Sequence, residues 1–364
     1  MVRDRGLNIK LFIVVIFLLL VGAIAIYSSS AILSAEVYGY SYYFFIKHLV
    51  YLFSGLIIML FIISSKSEFY KTQGFVYGLL IFSIALLMLT LNAPIINGTQ
   101  RWIRFGGFSF QPSELAKLSV ILYLSYYFSQ KREIVFKGGS GFLIPGIFVG
   151  IIIILIVKQP DIGTASMIVI ISGMILFAGG IRIKYILYLI SFSLLFLIST
   201  ILLYDYAIKR VVAMFDYNSD PLGKGFQIVQ SLIALGSGGF SGVGLGDSTQ
   251  KLYYLPYAHT DFIFSVIGEE IGFIATFLIV LAFLVFFIEG MRIARNSKNQ
   301  QNMLMALGIT TWIIIQALIN VSVVIGIFPP KGIPLPFVSY GGSSLVVMLF
   351  AVGILIKISM GKTR

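Results

Sequence analysis

Residues 9–33, "IKLFIVVIFLLLVGAIAIYSSSAIL", carry a single charge, Lys10, and are otherwise apolar or small. A helix of that length, at ~1.5 Å per residue, outreaches a hydrocarbon core about 30 Å thick. The stretch therefore reads as a membrane span. Its place near the N-terminus and its small residues Ser28, Ser29, Ser30 and Ala31 resemble a signal peptide, but it is too long and many more apolar runs follow, so an uncleaved helix is expected. The further runs lie near 44–63, 74–91, 113–129, 141–157, 163–179, 184–206, 262–289, 302–326 and 341–358. Of the 364 residues, 59% are hydrophobic and 11% charged, with mean hydropathy +1.00, too few charges to keep a soluble surface wet. The expected fold is an all-α integral membrane protein of about ten transmembrane helices. It forms one polytopic domain over 1–364, with a large extracytoplasmic loop, 207–261, between helices 7 and 8.

Lys and Arg set the orientation, because basic loops are retained on the cytoplasmic side. With the N-terminus inside, sixteen of the 26 fall on inner segments, nine on outer segments, and Lys117 lies within a helix. Both termini are thus expected in the cytoplasm. The net charge of +12 suits an anionic lipid surface, and no nucleic-acid motif accompanies it. With no cysteine there is no disulfide, thiolate nucleophile or thiolate metal site. Two histidines, His48 and His259, are too few for an imidazole-rich centre, so any metal would be a hard cation on oxygen ligands.

The inner connections are short and merely basic, whereas the outer segments 92–112, 158–162, 207–261 and 327–340 hold the unusual sequence. Function is expected at the outer face. "HTDFIFSVIGEE" (259–270) concentrates one histidine and three acids before an apolar run. Asp261 there suits a helix N-terminus, where unpaired amides and the dipole favour an anion. It can serve as a cap, as a catalytic or ion-binding acid, or as both. Glu269 and Glu270 lie two turns deeper, where an ionised carboxylate costs ~2.5–3.5 kcal/mol unless paired or hydrated. Asp261 and Glu269, eight residues apart, stand about 12 Å apart along a helix, beyond the ~5–9.5 Å of paired hydrolytic carboxylates. A single base fits better than a hydrolytic pair.

In "QPSELAKL" (111–118) Pro112 suits an early helical position, Ser113 a cap, and Glu114 with Lys117 an i, i+3 ion pair. Alternatively Lys117 aims its cation into a cavity that would hold a diphosphate. "RWIRFGGFSFQ" (101–111) has the pattern of a small hairpin presenting Arg101, Trp102 and Arg104. Asp161 of "KQPDIGT" (158–164) is placed to cap the sixth span. "GFQIVQSLIALG" (225–236) reads as an interfacial amphipathic helix with Phe226, Val229 and Ile233 opposite Gln227, Gln230 and Ser231. The glycine-rich 236–246 after it suits a flexible linker or a substrate-contacting loop. "FPPKGIPLPFVSYGGSS" (328–344) holds four prolines, which forbid a regular helix and predict a stiff re-entrant or surface loop. It delivers Ser343 and Ser344 to the last span, for close packing or for anion binding by exposed amides.

In order and spacing, "GTQRWI", "FQPSELAKL", "KQPDIGT", "DPLGKGFQIVQSLIALGSGG", "YLPYAHTDFIFSVIGEEIG" and "PPKGIPLPFVSYGGSS" resemble the SEDS family (shape, elongation, division and sporulation), the FtsW/RodA/SpoVE glycosyltransferases. The resemblance covers nearly the whole chain. It implies polymerisation of lipid II at the outer face of the bacterial cytoplasmic membrane. Asp261 would be the general base, and Arg101, Lys117, Arg210 and Lys331 the cations around the diphosphates. Glu114, His259, Glu269 and Ser343 would complete the substrate site. No tightly bound cofactor is implied, and a divalent cation, magnesium or manganese, is left open. The implied partners are lipid II, a class B penicillin-binding transpeptidase and other divisome or elongasome membrane proteins. "GDSTQKLYYLPYAHTDFIFSVIGEEIG" and "PPKGIPLPF" look more like the division type than the elongation type. Two rival readings are a lipid II transporter, which would need access from both faces, and a scaffold, which would leave Asp261, Lys117 and Glu269 without purpose.

Overall fold

The structure, a computed structural model, describes residues 7–94, 100–105, 108–130, 141, 143–181, 191, 224–252, 255, 258–329 and 332–361. The expected seventh span (184–206, apart from residue 191), Arg210 and Lys331 lie outside them. The helices are α1 Ile9–Tyr38, α2 Tyr43–Ser64, α3 Gln73–Thr90, α4 Pro112–Gln130, α5 Leu143–Lys158, α6 Ile162–Ala178, α7 Lys224–Gly238, α8 Ile263–Ile271, α9 Phe273–Asn296, α10 Gln300–Val324 and α11 Gly342–Met360. Among the described residues, α1, α2, α3, α9, α10 and α11 are long and apolar enough to cross a membrane, and α5 and α6 are shorter apolar helices.

α4 stands at the centre, packed by α3, α6, α10 and α11, with most of its residues buried. That position explains how a helix with a glutamate, a lysine, four serines and three tyrosines sits inside an apolar bundle: its neighbours shield it from lipid. Around it, helices approach through small residues. A methyl group on Gly353 of α11 would lie 3.1 Å from the Met59 carbonyl oxygen of α2, and one on Gly290 of α9 would overlap the Thr310 side chain of α10.

Two sequence expectations are corrected. The eighth span is two helices, α8 and α9, broken at Gly272 (φ +85°, ψ −171°), a conformation essentially restricted to glycine. The glycine-rich segment, expected as a flexible linker or a substrate-contacting loop, is not a free linker, because it docks on this break. Val243 and Gly244 N–H donate to the Glu269 and Glu270 carbonyls (2.9 and 3.0 Å), and Phe273 N–H donates to the Gly239 carbonyl (2.9 Å). Backbone groups released by the broken helix are thereby satisfied. α7, expected as an interfacial amphipathic helix, packs the side that carries Gln227 and Ser231 against the bundle. Gln227, Ile228, Ser231 and Ala234 are buried, while Leu232 and Ile233 are exposed. Ser231 Oγ lies 2.6 Å from Ser265 Oγ of α8 and donates to the Val324 carbonyl of α10.

The proline-rich loop 332–341 enters the bundle, as one of its two expected forms required. Ile333, Leu335, Phe337, Val338 and Ser339 are buried. Its deepest part meets α1 where Gly22 has no side chain: a methyl there would lie 2.7 Å from the Phe337 carbonyl oxygen.

Candidate active site

Asp161 N-caps α6 as expected, accepting from Thr164 N–H (3.1 Å) and the Thr164 hydroxyl (2.9 Å). The same buried carboxylate faces Gln111 Nε2 (3.3 Å) and Arg101 Nη1 (3.7 Å). Arg101 leads into the expected hairpin, with strand β1, Ile103–Phe105, antiparallel to β2, Phe108–Phe110. The other end of this guanidinium points to the re-entrant loop. A methyl on Gly332 would sit 3.4 Å from Arg101 Nη2 and 3.5 Å from Asp261 Oδ2, so cation and carboxylate flank one glycine.

Asp261 does not cap a helix. It lies in a turn, and α8 begins at Ile263 after Phe262, without a side-chain cap. Its position is fixed through the backbone instead. Three successive carbonyls are held: His259 accepts from Tyr340 N–H (3.0 Å), Thr260 from the Ser339 hydroxyl (2.6 Å) and Asp261 from the Asn320 amide (2.8 Å). Asn320 also donates to the Ile333 carbonyl (2.8 Å), and Gln316, one turn earlier on α10, to that of Pro334 (3.0 Å). Since both partners of Asn320 can only accept, its amide orientation is unambiguous.

Lys117, expected to present a cation to a diphosphate, is enclosed. Its ammonium meets Glu114 (2.7 Å) and Gln316 (2.9 Å) and lies 4.9 Å from the Trp312 ring centre, with 1% of the side chain exposed. A buried charge requires such partners. Glu114 also accepts from the Ser344 hydroxyl (2.8 Å), and Ser343 accepts from Gln111 N–H (3.0 Å). Ser113 lies inside α4, where it accepts from the Gln111 side chain, and so it does not cap the helix. These residues join α4, α10 and α11 beneath the Asp261 turn.

Glu269 is likewise occupied by its own chain, accepting from the Ser248 hydroxyl (2.5 Å) and from the Thr249 amide and hydroxyl (both 3.0 Å). Glu270 pairs with Lys251 (2.6 Å) and with Ser28 of α1 (2.6 Å). The acids of 259–270 thus divide into one turn residue facing Arg101 and two anchors for the loop 246–252. His259 packs between Phe44 (ring centres 4.9 Å apart) and Tyr340 (5.8 Å). Burial pushes its imidazole down to about 4, so it is neutral at physiological pH. No three His, Cys, Asp or Glu side chains among the described residues gather as metal ligands.

The FTSW_RODA_SPOVE family model, described as "Cell cycle protein", matches residues 9–364. The chain belongs to this family. It is 39% identical over 357 residues to the "Probable peptidoglycan glycosyltransferase FtsW" of Trichlorobacter lovleyi, covering 97% of this chain and 93% of that one. It is 38% identical over 356 residues to "Stage V sporulation protein E" of Bacillus subtilis, covering 97% and 96%. A solved chain reported under "Structural coordination of polymerization and crosslinking by a peptidoglycan synthase complex" superposes with TM-score 0.79 at 26% identity, covering 97% and 98%. The Thermus thermophilus rod shape determining protein RodA shares the fold, with TM-score 0.71 at 23% identity over 97% of each chain. The matched FtsW/RodA/SpoVE region therefore contains every site residue described above.

Proposed function

We propose that this chain is a peptidoglycan glycosyltransferase of the cell-division type, polymerising lipid II at the outer face of the cytoplasmic membrane with both termini inside. One observation carries the assignment of the base: the Asp261 carboxylate, pinned through three successive carbonyls, faces Arg101 across Gly332. In this reading Asp261 takes the proton of the acceptor sugar's 4-hydroxyl as that oxygen attacks the donor's anomeric carbon. The configuration inverts and undecaprenyl diphosphate leaves. Arg101 stabilises charge on the diphosphate, with Arg210 and Lys331 as further cations. Lys117, Glu114 and Ser343 act on substrate through the geometry they hold, and His259 contributes a neutral wall. Any divalent cation beside the diphosphate would find hard oxygen ligands in the phosphates and in Asp261. Relatives named FtsW support the division role, and the similar chain from a synthase complex supports a transpeptidase partner.

The test is glycan formation from purified lipid II in detergent, with and without the cognate transpeptidase. Asp261→Asn should bind lipid II and form strands ~10²–10⁴-fold more slowly, the usual worth of a general base. Wild-type protein that makes no glycan even with its partner would sink the polymerase reading and favour lipid transport.

A further inference from the structure

The connection between α1 and α2 is dense in aromatic residues: "YGYSYYFF" (38–45) holds six in eight positions. Gly39 ends α1 in the left-handed conformation (φ +80°), and Tyr40 follows it into the turn. The rings do not spread around the perimeter, as interfacial anchors do. Tyr38 stacks on Tyr43 with centres 3.6 Å apart, and Tyr40 lies 5.2 Å from Tyr42 and 5.9 Å from Tyr43. Lys47 sits over the Tyr43 ring at 4.3 Å, and Arg104 on β1 stands opposite Ser109, whose N–H donates to the hydroxyl of Tyr51, one turn beyond Lys47 on α2. Tyr40 and Tyr42 keep 41% and 52% of their surface exposed.

This cluster is continuous with the candidate active site. Phe44 touches His259, two residues before Asp261, and Tyr340, whose N–H holds the His259 carbonyl. α8, which follows the Asp261 turn, is covered by the chain itself, where α7 and the loop 246–252 dock on it. Resting on the function proposed above, we propose that the Tyr38–Tyr43 turn is a binding platform for the growing glycan strand beyond the sugar being joined. Pyranose rings present a flat C–H face that lies on tyrosine rings, their hydroxyls meet phenol oxygens, and Lys47 and Arg104 complement carboxylates on the strand's peptides. Such a platform keeps a polymer attached between successive additions, so its signature is strand length.

The experiment compares strand-length distributions at equal lipid II consumed, using the full-length protein with its transpeptidase partner. The variants are Tyr40→Leu/Tyr42→Leu, which keeps apolar bulk but removes the flat rings, and Tyr40→Trp/Tyr42→Trp, which keeps the rings. Several-fold shorter strands from the leucine pair, with wild-type length retained by the tryptophan pair, support the platform. A leucine pair that consumes lipid II slowly yet makes strands of wild-type length marks the tyrosines as membrane anchors and overturns the proposal. Absence of any strand from the wild type is a different failure, since it removes the polymerase reading and the platform together.

Discussion

Asn320 acts on Asp261 through the backbone, donating at once to the Asp261 and Ile333 carbonyls. Replacing it by Asp keeps the shape but turns the donating amide nitrogen into an acceptor facing two carbonyls, which drives the Asp261 turn and the re-entrant loop apart. Because misplacement of about 1 Å can cost 10²-fold in rate, Asn320→Asp should lower kcat between tenfold and ~10²-fold with KM little changed. Steady-state kinetics of lipid II polymerisation check this, and an equal loss through KM alone would show that Asn320 does not position Asp261 for the proposed reaction. The prominence of Asp261 was readable from charge concentrated before an apolar run. Its support was not. Trp312, Gln316 and Asn320 recur every four residues along α10, one polar stripe in a hydrophobic helix, and that spacing was the available signal. Lys117 was legible as an i, i+3 partner of Glu114, but its enclosure depends on Gln316 and Trp312, nearly two hundred residues away.

At the scale of elements, hydropathy located most helices within a few residues, yet it cannot register a backbone angle. Ile271 and Phe273 keep the pattern apolar across Gly272, so α8 and α9 read as one run. A methyl group at Gly272 would stand 2.4 Å from Gly242 N and 2.5 Å from the Phe240 carbonyl oxygen, on top of the φ penalty. Gly272→Ala should therefore cost about 2 kcal/mol or more, seen as a lower midpoint of thermal unfolding in detergent. Gly236→Ala, whose added methyl meets nothing within 4 Å, should leave that midpoint nearly unchanged. The reading of α7 as an interfacial helix did not say what its polar side packs against. In water the apolar side of a helix turns inward, whereas beside lipid the small and polar side packs and Leu232 with Ile233 can stay outside.

For the molecule as a whole, the run of apolar segments and the scarcity of charge made the membrane bundle legible, while its order of packing was not. α4 owes its central place to the buried Glu114–Lys117 pair and the groups it reaches on α10 and α11. Lys117→Met strands a carboxylate, with an expected loss of ~3–5 kcal/mol, and Glu114→Gln on the same chain should recover much of it. A double-mutant cycle of unfolding midpoints gives the coupling, and additive losses would mean the pair does not hold the bundle. The insertion of the proline-rich loop against Gly22 and the hold of Lys251 and Glu270 on Ser28 also bear on synthesis. α1 is thus completed by residues made more than two hundred positions after it. A nascent chain stopped before residue 332 carries Asp261 but lacks Ser339 and Tyr340, which hold its turn, so on the proposed function competence would arrive only once that loop has been made.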